Sequence, residues 1–406
     1  MLSAVSSVKK SQEIIDTQSI PNSSSNSFDE NLDSNNQNFY SSSSSQVFLD
    51  EPELELAGSN PNPNPVFSNA AVITDFNGDG KTDKFWRNNT TGETAIWLMN
   101  GESILSAENL ENVDSNWNYS IADFNDDGKS DLFWRNQTTG ENLIWLMNGT
   151  KVSSSVNLQN IDSNWNYSIT DFNGDGKSDL FWRNQTTGEN ATWLINNTTV
   201  TKTAFLSQQD SSWTANVVDF DGNGKSDLFW RNQTTGENKV WFMDGTDLSE
   251  FSLSSFDSSW NVASLGDFDG DNRTDILWRQ EETGENSVWL MNGIFNISGS
   301  LESRDSSWTP SIGDFNGDGK TDIFWHNQVT GENTAWMMDG TTITTAAFLP
   351  TNESSSQASI GDFDGDGKTD VFWRNSETGD GSIWLMDGTT ATETPLPQLS
   401  PEWTTY

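Results

Sequence analysis

The chain has 406 residues, 60 acidic against 20 basic, for a formal net charge of −40. That balance excludes a nucleic-acid surface, which needs clustered Lys and Arg, and docking on anionic lipid; no apolar run approaches the ~20 residues that insert across a bilayer. Cysteine is absent, which removes disulfides, thiol nucleophiles and zinc–thiolate sites, while 20 Trp and 23 Phe point to a folded chain whose carboxylates hold cations rather than a disordered acidic one.

Residues 1–65 are rich in Ser and Asn and close with PNPNP. Such a stretch cannot bury enough apolar surface to offset its ordering entropy, so it is expected to be a disordered leader or linker. Within it, VFLDEPELEL (47–56) is the one part expected to pack as a stray strand. The opening MLSAVSSVKKSQEIIDTQSI lacks the apolar core of a secretory signal peptide.

From residue 66 to 406 the chain repeats itself. The phrase DFNGDGKSDLFWRNQTTGEN, or a close variant, begins at Asp75, Asp123, Asp171, Asp219, Asp267, Asp314 and Asp362, in steps of 48 residues with one of 47. Within a copy every local signal is β. WNYSIADF alternates like a half-buried strand, DLFWRN is short and β-rich, TTGEN supplies a turn, and LIWLMN is a second buried run. Asn148-Gly149 and its equivalents follow, a strong hairpin signal that implies positive φ at both central residues; Asn196-Asn197 is the one departure. A variable stretch such as TKVSSSVNLQN makes the fourth, outer strand. Four antiparallel strands in about 48 residues is one propeller blade, and seven lie within the usual range. The predicted fold is therefore all-β, a seven-bladed β-propeller of four-stranded antiparallel blades. The last residues, 399–406, read LSPEWTTY and align with the start of copy two. They are expected to return to blade one and close the ring, with Trp403 between blades seven and one, near Asn69 and Phe76.

Each copy carries carboxylates and amides at positions one, three, five and nine of a tight loop. Odd spacing brings side chains one, three and five to one point, position seven offers its backbone carbonyl, and Gly at six permits the turn. In the third copy these are Asp171, Asn173, Asp175, Lys177 and Asp179. The first copy has Asp75, Asn77, Asp79, Lys81 and Asp83, and the second Asp123, Asn125, Asp127, Lys129 and Asp131. Copy four has Asp219, Asp221, Asn223, Lys225 and Asp227, and copy five Asp267, Asp269, Asp271, Arg273 and Asp275. The sixth has Asp314, Asn316, Asp318, Lys320 and Asp322, the seventh Asp362, Asp364, Asp366, Lys368 and Asp370. This is the first half of an EF-hand loop, but Trp stands where the bidentate Glu at position twelve belongs. Position nine is the expected closing ligand. All-oxygen ligands without His or Cys select a hard cation, Ca²⁺, at up to seven sites. Two loops depart from the pattern: Asp126 replaces Gly at position four of the second, and Asn272 holds position six of the fifth.

DFNGDGKSD followed by LFWRN, a TG turn and a Trp-bearing strand resembles the FG-GAP/VCBS repeats of bacterial surface proteins, over residues 66–406. It is similar to the calcium loops of integrin α-chain propellers and to calcium-containing seven-bladed fungal lectins. The resemblance implies a calcium-binding propeller placed outside the cell or on its surface and used for adhesion or ligand binding.

The tryptophans fall into three repeat positions. Trp86 and its equivalents follow Phe or Leu, Trp97 and its equivalents sit one strand later, and both sets are expected to fill the gaps between blades. The third set, Trp117, Trp165, Trp213, Trp260 and Trp308, follows DS-x-W on an expected surface connection, and Trp403 follows Pro-Glu. These are the candidate sugar-stacking residues. Arg135 and its equivalents are expected to pair with Glu141 across the hairpin, and the single histidine, His326, takes that Arg position in copy six. No asymmetric set of acid, base and nucleophile is visible, so no catalytic residue is assigned. The expected function is that of a monomeric, non-enzymatic calcium-binding propeller whose partner is a protein or glycan on a cell surface or matrix. The alternatives are a calcium-dependent lectin holding sugars between blades and the non-catalytic propeller of a secreted hydrolase.

Overall fold

A computed structural model describes residues 74–405, and every regular element among them is a strand. The expected leader, 1–65, with its stray strand at 47–56, lies outside the described residues. The 28 strands form seven four-stranded sheets. In blade two the inner strand Trp117–Ala122 pairs with Asp131–Asn136, then with Asn142–Asn148, and last with Lys151–Leu158, antiparallel throughout. Burial follows this order. The second strand is buried at every residue, while the outer strand alternates between exposed and half-buried. A middle strand of a blade is covered on both faces by its neighbours, so DLFWRN carries large apolar groups on both; the outer strand has one wet face and reads with period two.

The two hairpin turns behave differently. At TTGEN, Gly140 takes φ 71°, and a Cβ there would lie 1.9 Å from the Ile161 carbonyl oxygen. Only glycine fits. At the Asn-Gly turn, Asn148 pairs with Lys151, so the two-residue loop is Gly149-Thr150 and positive φ is confined to Gly149 (62°). This is the φ pattern of a type II′ turn, with glycine at the first central position, rather than the expected type I′. In blade three Asn197 takes that role at φ 58°, as Asn tolerates.

Blades are joined by backbone as well as by packing. Ser178 N–H donates to the Asp123 carbonyl at 2.8 Å, and Asn197 N–H to the Phe124 carbonyl at 2.9 Å, so each loop is held between two turns of the next blade. The pattern recurs around the ring and closes it: Thr82 donates to Asp362 O at 2.7 Å and Gly101 to Phe363 O at 2.6 Å. The inner strand of blade one is composite. Trp403–Thr405 supplies one part and pairs with the outward half of the second strand, Lys84–Asn88, from Asn88↔Trp403 to Trp86↔Thr405, and Asp83 N–H donates to Thr74 O at the other end. The chain end thus enters blade one, and Trp403 packs against a cluster shared by blades seven and one, with Trp86, Phe363 and Phe372. Phe76 is not part of that cluster. It lies in the next seam, with Phe85 and Trp134, because the residue after the first loop Asp points into the following blade. Asn69 lies outside the described residues.

Candidate functional site

The loops sit between the inner and second strands, all at one end of the ring. In the third copy Asp171 Oδ1 accepts the N–H groups of Asn173 (3.1 Å) and Gly174 (2.7 Å), and Oδ2 accepts that of Gly176 (2.8 Å). Asp175 Oδ1 takes the Lys177 N–H at 3.1 Å. Asp179 is fully buried and braces two strands: Oδ1 accepts from Ile195 N–H at 2.7 Å and Oδ2 from Phe172 N–H at 3.2 Å. The same bracing recurs at Asp83, Asp131, Asp227, Asp275, Asp322 and Asp370. Burial pushes Asp179 up to about 8, against its two backbone hydrogen bonds and with the help of Asp171 and Asp175. Position nine therefore has a structural task that ligand counting overlooked; each oxygen retains a second lone pair for a cation.

Several observations bear on whether these residues fit a cation. In three loops carboxylate oxygens lie within 4.8 Å of one another: Asp219, Asp221 and Asp227; Asp267, Asp269 and Asp271; Asp362, Asp364 and Asp370. At position three the buried oxygens Asn77 Oδ1, Asn125 Oδ1 and Asp269 Oδ1 have no hydrogen-bond partner among the described residues. Converging oxygens and unpaired acceptors are what a hard cation would satisfy. The position-seven side chains divide: Lys225 reaches out to Asp244 at 2.6 Å and Lys368 to Asp387 at 3.1 Å, while Lys129, Arg273 and Lys368 also pair with the position-five carboxylates of their own loops, Asp127 (3.5 Å), Asp271 and Asp366 (3.2 Å), where a cation would compete with them. The two irregular loops keep the turn: Asp126 has φ 59° and Asn272 φ 61°.

The third set of tryptophans lies at the opposite end. These residues are not on surface connections; each opens an inner strand, because Trp117 pairs with Asn136 and Trp165 with Asn184 beside the TTGEN turn. Trp117, Trp165, Trp213, Trp260 and Trp403 are half-buried, and Trp308 is buried. Some faces are already occupied: Trp260 stacks on Phe256 at 4.7 Å, and Lys239 Nζ sits 4.4 Å from the Trp213 ring. Between blades three and four a cleft of about 90 Å³ is lined by Trp213, Thr214, Asn166, Tyr167, Arg183 and Gln185. A cleft of about 90 Å³ recurs between blades seven and one, beside Trp403, Thr404, Gln357 and Arg374. A strand of six residues, or seven at Trp260, separates Trp117, Trp165, Trp213, Trp260 and Trp308 from their loops, roughly 17–20 Å at about 3.3 Å per residue.

Arg135 does not pair with Glu141, which accepts from Thr139 instead. Its guanidinium donates to Asn142 Oδ1 (2.9 Å) and to the carbonyls of Asp162 (2.8 Å) and Trp165 (2.9 Å), and lies 4.9 Å over the Trp182 ring of the next blade. Arg87, Arg183, Arg231, Arg279 and Arg374 lie over Trp134, Trp230, Trp278, Trp325 and Trp86 in the same way. A planar cation with five donors can stack on a ring and bridge carbonyls at once. The sequence carried one signal for this: Arg and Trp recur at a constant offset.

Among solved structures, a lectin from Agrocybe aegerita described for specific recognition of non-reducing terminal N-acetylglucosamine is similar in fold, with a TM-score of 0.67 at 13% identity over 88% of this chain and 98% of that one. A putative 6-phosphogluconolactonase from Bacteroides fragilis (TM-score 0.47, 11% identity, 81% and 98% covered) and a post-proline cleaving enzyme from Rickettsia typhi (0.47, 10%, 80% and 55%) align more loosely. Comparison with curated proteins finds no match. The model of the FG-GAP-like repeat matches six overlapping spans, 75–134, 123–182, 171–230, 219–278, 267–325 and 314–373. Each span runs from one loop Asp to the buried Trp of the next copy, so loop and seam are matched together, and the chain belongs to the FG-GAP-like repeat family.

Proposed function

We infer that the protein is a non-enzymatic, calcium-stabilised propeller that presents a ligand-binding face outside the cell, to a protein or glycan on a cell surface or matrix. The observation that carries this reading is the separation of two rings. Carboxylate loops occupy one end of the blades, and clefts edged by Trp and Arg occupy the other. The loop residues at positions one, three, five and nine would hold Ca²⁺ with the position-seven carbonyl. The ion would neutralise carboxylates that otherwise repel one another across a tight corner. Distance keeps calcium off the ligand, so its effect on binding runs through the fold.

Glycan binding between blades is favoured by the clefts, where a half-exposed indole faces side-chain amides and hydroxyls, a mixture that suits the apolar face and hydroxyl rim of a sugar. The similar lectin makes terminal N-acetylglucosamine the first sugar to test. The experiment is a glycan array with calcium and with chelator, alongside melting curves under both conditions. Binding lost only where the protein melts supports the reading. A folded, chelated protein that has lost its sugar would place calcium at the ligand and overturn it.

A further inference from the structure

One seam differs from the other six in two places at once. Six arginines clamp a following tryptophan strand, but blade six offers His326 in the Arg position, and blade seven opens its inner strand Ser356–Gly361 with Ser356 in the Trp position. Both departures meet between blades six and seven. The remaining seam contacts are intact there: Thr369 N–H donates to Asp314 O at 2.7 Å and Gly388 N–H to Phe315 O at 2.8 Å. The seam that joins the chain ends, by contrast, keeps its clamp. Arg374 donates to Ser400 O at 2.8 Å and Trp403 O at 3.2 Å and lies 5.2 Å over Trp86.

His326 is 3% exposed and packs edge-on to Trp373 with centroids 4.9 Å apart. Its Nδ1 meets Asn333 Oδ1 at 2.7 Å. Asn333 is oriented by its own Nδ2, which donates to Pro350 O at 2.7 Å and Gly331 O at 3.3 Å, so Nδ1 carries the proton in neutral His326. Nε2 is then a bare acceptor, buried with no partner among the described residues, and Asn352 Nδ2 in the adjoining connection is a buried donor that also has none. The arginines elsewhere reach that connection with two or three hydrogen bonds; the imidazole makes none of those.

We propose that the propeller opens first between blades six and seven, not where its ends meet, and that protonation of His326 drives the opening. A proton on Nε2 places a charge in a buried seam where no acceptor stands within hydrogen-bond distance. The acidic side chains on the surrounding elements do not compensate. Glu332 of the turn and Glu377 of blade seven are exposed, Glu332 accepts from Thr330, and Glu353 of the connection accepts from Asn375. Burial holds the imidazole below its ordinary value, only partly countered by Asn333. A folded-state value below the unfolded one gives stability that is present above the unfolded value, near 6.5, and lost as pH falls through the folded one.

Hydrogen exchange by mass spectrometry tests this on the full chain in saturating calcium at pH 7.5 and 5.5, corrected for intrinsic rates. The six other seams serve as internal controls. The expected result is faster opening of peptides covering 321–328 and 350–360 than of their equivalents, rising with acid by at most about tenfold per pH unit. His326→Arg should abolish the acid response, and His326→Gln should abolish it while leaving the seam the weakest. Uniform protection of all seams, or first opening at 399–405, overturns the proposal. So does an acid response that survives in His326→Gln.

Discussion

Removing the last six residues should loosen blade one in a measurable way. Truncation after Ser400 deletes Trp403–Thr405, the strand that covers the outward half of Lys84–Asn88. Three residue pairs are lost, together with Asn89 N–H to Glu402 O (3.3 Å) and Thr404 Oγ1 to Arg87 O (3.3 Å). At about 0.5–1.5 kcal/mol net per hydrogen bond, four or so bonds contribute roughly 2–6 kcal/mol. Trp403 is half-buried; a Trp side chain buries about 150–250 Å², so about half of that at 25 cal/mol per Å² adds roughly 2–3 kcal/mol. The Arg374 bond to Trp403 O goes as well, leaving its partners at Leu399 and Ser400. The expected loss is about 4–9 kcal/mol, a large part of an ordinary folding free energy of about 5–15 kcal/mol. Urea unfolding followed by Trp fluorescence measures it, and the truncated chain should also associate through its uncovered strand edge. A truncated protein within about 1 kcal/mol of the full chain, and still monomeric, would falsify the view that these residues close the ring.

Three further outcomes are expected. Chelation should lower Tm, and Ca²⁺ should restore it: with Kd of roughly 10⁻⁴–10⁻³ M, millimolar Ca²⁺ adds about 0.4–1.4 kcal/mol per site, and metal-free protein with an unchanged melting curve refutes the calcium loops. The metal-free protein should lose stability as pH rises from about 4 to 8, because Asp179, Asp227, Asp275 and Asp370 are pushed up to about 8 by burial, so the folded state holds protons that the unfolded state releases; a flat profile from pH 4 to 8 in chelator counts against that bracing role. Trp165→Ala and Trp213→Ala should each cost about 1–3 kcal/mol in denaturant, less than the ~3–5 of a core Trp but not negligible, since each ring is half-buried at the mouth of a seam; Trp213→Ala should also abolish binding of any sugar held in the adjoining cleft, which calorimetry with N-acetylglucosamine would read.

Much of this protein is legible in its sequence because much of it is local. The 48-residue period, the alternation of WNYSIADF and the buried run LFWRN need only the geometry of one strand and its neighbour, and the blades follow from them. The loop at Asp171 is local too: nine consecutive residues that fold onto their own first carboxylate. Turn type was less accessible. Asn148-Gly149 signals a hairpin, but whether Asn148 lies in the turn or pairs with Lys151 depends on the register of whole strands. Other features belong to the ring alone. Arg135 reaches Trp182, 47 residues on, and Ser178 reaches back to Asp123, because blades turn successive copies of one surface against each other. No pairing rule within a copy separates Glu141 from Trp182 as the partner of Arg135; the guanidinium is at the seam, where a flat ring faces it and the glutamate is outside. The sequence by itself determined the blade, its repeat number and the oxygen-rich corner, since strand periodicity and turn chemistry act over a few residues. LSPEWTTY also announced that the chain's end completes its first blade, because it aligns with the start of copy two. Only the tertiary structure decided that carboxylates and tryptophans stand at opposite ends. It also brought His326 and Ser356 to one seam. Those are relations between residues far apart in the chain, set by closure of the ring.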